Sequence, residues 1–449
     1  MGVVLPLNYK SDMAQSFRKT LCAPELLKTV RQCFESIPDP VASRGITQAD
    51  CLMSGLAVFG LKYSSLLKFD ENRNEPLIQA NLNALYGVTR APSDTRLRER
   101  LDTVDPELLR GASYKRLFAL MQRGKGLEGF SYLDGHYLLS IDGTGYYSSE
   151  QVHCDQCCEK HHRDGRITYY HQMLGAVLVH PDQREVIPFA PEPILKQDGS
   201  KKNDCERNAA KRLLQKLRTE HPHLKLMVVE DALASNGPHL RLLNELDMRY
   251  IVGAKRSDHK FLFDWVENTA TTETVTLIDE QEVQHRFRYL NGAPLNDANF
   301  DLSVNFLEYW ETKPSGKTQH FAWVTDIPIT ADNLMTLMRG GRARWKVENE
   351  TFNTLKNQGY HFEHNFGHGN QNLSTVMAYL MMLAFLIDQI QQRCCGLFQD
   401  ALEKAKRKSY FWEKVRGLFL HYQIPDWETL YRCIAYGMQP TVPIPNDSS

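Results

Sequence analysis

The first 125 residues carry apolar and polar positions with the period of an α-helix. Three segments, LLKTVRQCFESI, DCLMSGLAVFGLKYSSLLKF and PELLRGASYKRLFALMQ, place apolar residues three and four positions apart. Between them, Ser93 or Asp94 is placed to cap a further, basic helix. The pattern predicts a helical N-terminal domain over residues 1–125.

From about residue 130 the period changes to that of β-strands. HYLLSIDGTGYYSS, ITYYHQMLGAVLV and EVIPFAPEPI are β-rich runs separated by turns. A helix (CERNAAKRLLQKLRTEH), a buried strand (LKLMVVEDA), a second helix (GPHLRLLNELD) and another strand (MRYIVGAKR) follow. This order predicts a mixed α/β sheet with flanking helices, whose first part covers residues 126–254.

Residues 255–320 interrupt this order with Thr-rich and aromatic-rich alternating segments, which predict an inserted set of antiparallel strands. The strand QHFAWVTDIPI and the amphipathic helix pattern of RARWKVENETFNTLKNQ then predict the second part of the core over residues 321–370. STVMAYLMMLAFLIDQIQQ predicts a buried helix within a C-terminal helical region, 371–449, because its ends are too polar for a membrane span.

The composition, 42% hydrophobic and 24% charged residues, is that of an ordinary soluble globular protein. A net charge of −1 counts mildly against a polyanionic partner, although basic patches on one face matter more. The N-terminus, MGVVLPLNYKSDM, lacks the basic start and long apolar core of a signal peptide. We expect a cytoplasmic protein with no membrane partner.

Three acidic residues lie where their elements would direct them to one point. Asp142 ends the run YLLSID, Asp231 ends LKLMVVED, and Glu348 lies on the predicted amphipathic helix. Carboxylates are the ligands that Mg²⁺ and Mn²⁺ prefer, and two such ions can catalyse phosphoryl transfer. Each acid alone is more often a cap or a solvated loop residue, but their order along the chain supports a joint site. Glu350 competes with Glu348 for the third position.

The strings SIDGTG, VVEDALASNGPHL and RARWKVENETFNTLKNQGYHFEHNFGHG resemble bacterial insertion-sequence transposases of the DDE type. The resemblance covers roughly residues 130–370 and implies a ribonuclease-H-like core with a β-rich insertion before the final Glu. It implies that Asp142, Asp231 and Glu348 hold two Mg²⁺ or Mn²⁺ ions, which cut transposon ends and join them to target DNA. It also implies double-stranded DNA as the partner, a helical N-terminal domain that binds it, a homodimer in the synaptic complex, and a bacterial, nucleoid-associated location.

In that family the last acid belongs to a signature of Tyr, two residues, Arg, three residues, Glu, six residues and Lys. Arg344 and Glu348 reproduce the Arg–Glu spacing and share a helix face, so the resemblance implies that Arg344 holds a DNA phosphate. The chain departs from the signature twice. Gly341 occupies the Tyr position, and Lys356 follows Glu348 by one residue too many, a rotation of about 100° on an α-helix.

The family also stacks a flipped DNA base on an aromatic residue after the insertion. Phe321 falls at that position and Trp323 lies close to it. Stacking on such a ring is worth about 1–3 kcal/mol per base. The alternative is that these residues are core aromatics of a strand.

Two basic clusters are candidate DNA contacts. Arg96 lies near Arg90, Arg98 and Arg100 in the helical domain, and Lys201 and Lys202 belong to a basic stretch before a predicted helix. In both cases a solvated surface is the alternative interpretation.

The segment EQVHCDQCCEKHHRDG concentrates cysteine and histidine. Cys154 and Cys157 have zinc-knuckle spacing, and His161 or His162 is placed to complete a Zn²⁺ site. Four ligands from so short a loop would be cramped, so a ligand from elsewhere is also considered: His361, His364 or His368. The alternative is a polar hairpin with reduced thiols.

Other functions stay open beside transposition. One is a magnesium-dependent nuclease on the same core without strand transfer, and another is a non-catalytic DNA-binding protein derived from a transposase. A zinc-dependent hydrolase built on the cysteine–histidine segment is a more distant alternative.

Overall fold

The computed structural model describes residues 20–39, 45–196 and 204–437. The chain divides into two compact units, residues 127–354 and residues 1–126 together with 355–449. We call them the sheet unit and the helical unit. The five-part division from the sequence stays a prediction.

In residues 127–196 and 204–354, the described part of the sheet unit, the strands form an eleven-stranded sheet. Its strands are β1 (Tyr137–Ser149), β2 (Cys158–His161), β3 (Ile167–Val179), β4 (Ile187–Pro188), β5 (Glu192–Ile194), β6 (Leu226–Glu230), β7 (Arg249–Gly253), β8 (Glu273–Ile278), β9 (Gln284–Pro294), β10 (Ser303–Thr312) and β11 (Thr318–Thr325). They follow the order β2-β3-β1-β6-β7-β11-β10-β9-β8, and β4 and β5 both pair with β3. The predicted α/β class, a mixed sheet with flanking helices, is confirmed.

The centre of this sheet combines both strand directions. β1 pairs antiparallel with β3, whereas β1, β6 and β7 run parallel to one another. Every residue of β6 is buried, which explains its continuous apolar run, since a parallel strand is covered on both faces. At the far edge β8 is largely exposed, and half of its six residues are Glu or Thr, which suits an edge strand.

The predicted strands of the 255–320 segment are present, but they extend the main sheet. β8, β9 and β10 form an antiparallel series that reaches β7 through β11. The segment also contains a helix, Lys260–Asn268, that the alternating pattern did not predict.

The helices of the sheet unit flank the central strands. They span Glu206–Glu220, Gly237–Glu245, Lys260–Asn268 and Leu334–Arg342. After the last of these the chain forms a 3₁₀ turn, Ala343–Trp345, and a π-helical turn, Val347–Phe352, before the short helix Asn353–Asn357. The prediction of one regular amphipathic helix around Glu348 is therefore wrong in its geometry.

The described residues of the helical unit confirm the helical periodicity predicted for the N-terminal and C-terminal regions. Its α-helices span Ala23–Glu35, Gln48–Gly60, Leu66–Asn72, Pro76–Tyr86, Asp94–Asp102, Pro106–Leu109, Lys115–Arg123, Leu373–Cys394, Gly396–Ala405, Lys408–His421 and Trp427–Tyr436. Of the two capping candidates, Ser93 is the cap, because its side chain accepts a hydrogen bond from the Arg96 N–H. Cys22 and Cys395 form a disulfide, which their positions in the sequence did not indicate.

The helix Leu373–Cys394 is long and apolar enough to cross a membrane by length and composition. However, 94% of its apolar window is buried inside the protein. This is the behaviour of a core helix and confirms the prediction of a buried helix.

A buried ion pair lies in the core of the helical unit. The Nζ of Lys62 is 2.6 Å from Oδ2 of Asp388 and lies 3.6 Å from the centre of the Tyr360 ring. The Tyr360 hydroxyl donates to the same carboxylate. Burial lowers the pKa of Lys62 to about 8 despite the attraction of Asp388, and burial likewise raises the pKa of Asp388. Desolvation therefore outweighs attraction in this pair.

Candidate active site

Asp142 lies within β1 beside the antiparallel strand β3, where its register partner is Gly175. Asp142 ends the apolar run but lies inside its strand, because β1 continues to Ser149, as the predicted β-rich run does, and forms one arm of a long hairpin. The carboxylate Oδ1 accepts a hydrogen bond of 2.9 Å from the Gly143 N–H. Its side chain keeps 32% of its surface exposed, so it is accessible to a ligand.

Asp231 directly follows β6, as predicted, and caps the short helical turn Ala232–Ala234 by accepting from the Leu233 N–H at 2.9 Å. β1 and β6 are parallel neighbours whose last paired positions are Ser140 and Val229. Asp142 and Asp231 each lie two residues beyond these paired positions. Because neighbouring strands lie about 4.8 Å apart, this register sets the two acids beside each other.

Glu348 lies in the π-helical turn Val347–Phe352. The preceding turn is attached to β1, since the Ser140 hydroxyl donates to the Arg344 carbonyl at 2.9 Å. The Arg344 guanidinium then lies 3.3 Å from Oδ2 of Asp142. Single π-helical turns are rare in proteins, and those that occur are often found at functional sites.

The negative charges of Asp231 and Glu348 both act on the carboxyl group of Asp142. Burial raises the pKa of Asp142, and the negative charges of Asp231 and Glu348 raise it further, against the opposing effects of Arg344 and the Gly143 N–H. Glu350 instead acts on Lys346. These effects favour Glu348 over Glu350 as the third acid, and they describe a group of carboxylates that a cation would stabilise.

A fourth carboxylate, which the sequence analysis missed, belongs to Glu206 at the start of the helix Glu206–Glu220. A Cβ atom on Gly143 would overlap Oε1 of Glu206, so the absence of a side chain at position 143 makes room for this carboxylate beside Asp142. Partial burial raises the pKa of Glu206, and the charges of Asp142 and Asp231 raise it further. An acid in the first turn of a helix is common for other reasons, so the sequence carries no distinct signal for it.

A cavity of about 560 Å³ lies beside Asp142. Its walls include Asp142, Asp231 and Glu206, together with the buried pair of Glu230 and His239, whose side chains meet at 2.6 Å. Burial lowers the pKa of His239, but Glu230 raises it by more, so the net shift is upward. The cavity wall therefore combines three carboxylates, those of Asp142, Asp231 and Glu206, with the paired side chains of Glu230 and His239.

The aromatic candidates differ in accessibility. Phe321 and Trp323 stack with ring centres 5.8 Å apart on β11, but Trp323 is only 5% exposed and is a core residue. Phe321 is half-buried beneath the Arg342 guanidinium, 5.0 Å from its ring. A Cβ on Gly341 would overlap the Trp323 indole, so Trp323 already fills the space where a Tyr at 341 would begin.

An exposed aromatic beside the site was missed. Trp345 is 47% exposed, and the Arg344 guanidinium lies 4.5 Å from its ring centre. An aromatic ring next to a basic side chain is a common platform for an unpaired base. The sequence signal was the Arg-Trp dipeptide directly before Glu348.

Lys356 lies in the short helix that follows the π-turn and pairs with Glu363 at 2.9 Å. The 100° displacement expected for it assumed a regular α-helix. A π-turn hydrogen-bonds five rather than four residues along, so it absorbs one additional residue. That assumption is therefore wrong, and the role of Lys356, which belongs to the helical unit, stays a prediction.

The basic candidates give a mixed outcome. Arg96 is exposed and pairs with Glu99 at 3.2 Å, which leaves it on the surface of the helical unit. Arg100 is 4% exposed and pairs with Asp39 at 2.5 Å, so it is a core residue and not a phosphate contact. Lys201 and Lys202 lie outside the described residues.

In the cysteine–histidine segment, the histidines beside the two cysteines differ from those that the sequence predicted. Sγ of Cys154 and Sγ of Cys157 lie 3.7 Å apart, and Nε2 of His171 lies 3.3 Å from each. His161 contacts Glu159 at 3.1 Å, and His162 contacts Thr168 at 2.8 Å. The histidine brought to the two thiols within the sheet unit comes from β3.

No protein-family model matches the chain, and no curated protein matches it in sequence. A solved structure similar to it is the cryo-EM structure of a piggyBac transposase synaptic complex with hairpin DNA. The two share 10% sequence identity, and the match covers 97% of this chain and 87% of that chain with a TM-score of 0.38.

Proposed function

We propose that this chain is a DDE-type DNA transposase that cleaves DNA at the ends of a mobile element and joins those ends to target DNA. The observation that carries the proposal is the position of Asp142, whose carboxylate lies beside Arg344 and within the fields of Asp231 and Glu348. The acids come from a strand, a strand end and a π-turn that are far apart in sequence. Asp142 and Asp231 line an open cavity, and the negative charge of Glu348 acts on Asp142 from the π-turn.

The donor set fits divalent cations. Asp142, Asp231 and Glu348 offer hard oxygen ligands, and their mutual repulsion leaves a site that gains from positive charge. Two bound Mg²⁺ or Mn²⁺ ions would supply activation of the attacking oxygen and stabilisation of the leaving oxygen during in-line phosphoryl transfer.

The neighbouring side chains have roles in holding DNA. Arg344 is placed to bind a phosphate at the acid group, because its guanidinium already lies against Asp142. Phe321 and Trp345 are the partly accessible rings on which a displaced base would stack. In this proposal the protein acts on double-stranded DNA as a homodimer that pairs two element ends, in the cytoplasm at the bacterial nucleoid.

The direct test is a cleavage and joining assay with labelled duplexes taken from the DNA that flanks the coding sequence. We expect Mg²⁺-dependent strand scission and joining of the cut ends into a supercoiled plasmid. Asp142→Asn, Asp231→Asn and Glu348→Gln should each abolish both steps. Glu350→Gln is the matched control, because it removes an acid from the same turn without touching the proposed site.

The same assay separates the alternatives. Metal-dependent scission without joining, on every end duplex tried, would indicate a nuclease on this core. DNA binding without any scission would indicate a non-catalytic DNA-binding protein. Scission that survives all three substitutions would refute the proposed acid site.

A further inference from the structure

A second metal-ligating group lies in the sheet unit, and it is chemically distinct from the carboxylate site. Cys154 and Cys157 begin and end a tight turn that precedes β2, in which the Cys157 N–H donates to the Cys154 carbonyl at 3.1 Å. The Cys154 N–H points to Sγ of Cys157 at 3.4 Å. The turn therefore places both sulfur atoms on the same side.

His171 completes the group from β3. It is fully buried, and Tyr146 of β1 stacks on its ring with centres 5.7 Å apart. This packing holds Nε2 at 3.3 Å from both sulfur atoms. Cys157 is 1% exposed and Cys154 is half-buried, so most of the group is withdrawn from solvent.

The distances match one face of a zinc tetrahedron. With Zn–S near 2.3 Å and Zn–N near 2.0–2.1 Å, tetrahedral angles require S···S separations of about 3.8 Å and S···N separations of about 3.6 Å. The observed 3.7 Å and 3.3 Å need shifts of a few tenths of an ångström. A disulfide is excluded for this pair by the same separation.

We propose that Cys154, Cys157 and His171 bind a structural Zn²⁺ ion. The ion would fasten the loop after β1 to β3, on the side of the hairpin that follows Asp142 in the chain. The site does not depend on the proposed transposase activity. A closed zinc site takes a fourth ligand, and the sequence-based candidates His361, His364 and His368 stay predictions for it.

The test is metal analysis of the full-length protein, purified under reducing conditions and dialysed against EDTA. We expect about one zinc per chain in the wild type, and loss of that zinc in Cys154→Ser, Cys157→Ser and His171→Ala. His171→Cys, which restores a ligand atom, should retain zinc. Cys205→Ser and His161→Asn are matched controls, because both residues are exposed and neither contacts this group.

Absorption spectroscopy of the Co²⁺-loaded wild-type protein tests the proposal even if the substituted proteins do not fold. Wild-type protein loaded with Co²⁺ should show thiolate-to-cobalt charge-transfer absorption and the visible bands of tetrahedral Co²⁺, and His171→Cys should intensify the charge-transfer absorption. Wild-type protein free of zinc and without these bands would overturn the proposal. If His161→Asn lost its zinc and His171→Ala kept it, the proposed ligand set would be wrong, and the ligand would be the His161 that the sequence predicted. Single substitutions of His361, His364 and His368 would identify a fourth protein ligand as the one whose loss lowers zinc content.

Discussion

Replacing the buried pair of Lys62 and Asp388 with neutral side chains should stabilise the protein. The Lys62 side chain is 1% exposed and that of Asp388 is 10% exposed, so both charges are held away from water. In Lys62→Met/Asp388→Asn, the methionine keeps most of the lysine volume, and the asparagine oxygen can still accept from the Tyr360 hydroxyl. The substitution removes two desolvated charges with little change in packing.

The size of the effect follows from the pKa of Lys62. Burial lowers it from 10.5 to about 8, net of the attraction of Asp388. At about 1.4 kcal/mol per pKa unit, holding the ammonium charged in the folded state at pH 7 costs about 3 kcal/mol. The lost hydrogen bond to the Phe59 carbonyl and the lost cation–π contacts offset about half of this. We expect the double variant to be about 1–2 kcal/mol more stable, within the range known for replaced buried ion pairs.

The pH dependence has a definite sign. Between pH 8 and 10.5 the unfolded chain keeps a proton on Lys62 that the folded protein has released, so wild-type stability rises with pH through this window. The double variant lacks this contribution. The stability gap between the two proteins should therefore narrow as pH rises from 7 to 10.

Urea unfolding followed by circular dichroism at several pH values measures both effects. The control is Lys68→Met/Glu71→Gln, because this pair is exposed on a helix of the same unit and should change stability by less than about 0.5 kcal/mol. A double variant less stable than the wild type at pH 7, or a gap that does not vary with pH, would refute the reasoning.

Three further predictions concern the candidate active site. Arg344→Ala should reduce the rate of strand scission about 10- to 100-fold, because it removes the phosphate contact beside Asp142. The rate of Arg344→Lys should lie between those of the wild type and Arg344→Ala. Equal rates in all three proteins would contradict this role. Glu206→Gln should weaken Mn²⁺ binding about tenfold in a calorimetric titration without lowering the melting temperature, whereas unchanged affinity would place Glu206 outside the metal environment. Gly341→Ala should destabilise the protein by about 1–3 kcal/mol in urea because the added methyl group meets the Trp323 indole, and Gly341→Ala/Trp323→Phe should recover part of that loss.

Local patterns in the sequence were sufficient for the two strands that position Asp142 and Asp231 and for the helix cap at Ser93. The β-period of YLLSID, the continuous apolar run before Asp231 and the cap at Ser93 are properties of short segments, and the structure has each of them. The apolar run before Asp142 nevertheless stops well before the strand does, because the polar second half of β1 is held by pairing with β3.

Contacts between distant segments could not be predicted in the same way. Glu206 reaches Asp142 only because Gly143 leaves space for it, and His171 reaches the two cysteines only because β3 folds back beside the turn. The π-turn at Glu348 depends on how the segment is attached to β1, through Ser140. Each depends on packing between segments that are separate in the sequence.

The claim that Asp142, Asp231 and Glu348 jointly hold divalent cations is tested most directly by counting bound Mn²⁺ with electron paramagnetic resonance in the presence of end DNA. We predict about two ions per chain, close enough to be magnetically coupled, and loss of at least one ion in each of Asp142→Asn, Asp231→Asn and Glu348→Gln. Glu350→Gln should retain both. Unchanged Mn²⁺ stoichiometry in the three active-site variants would contradict the account.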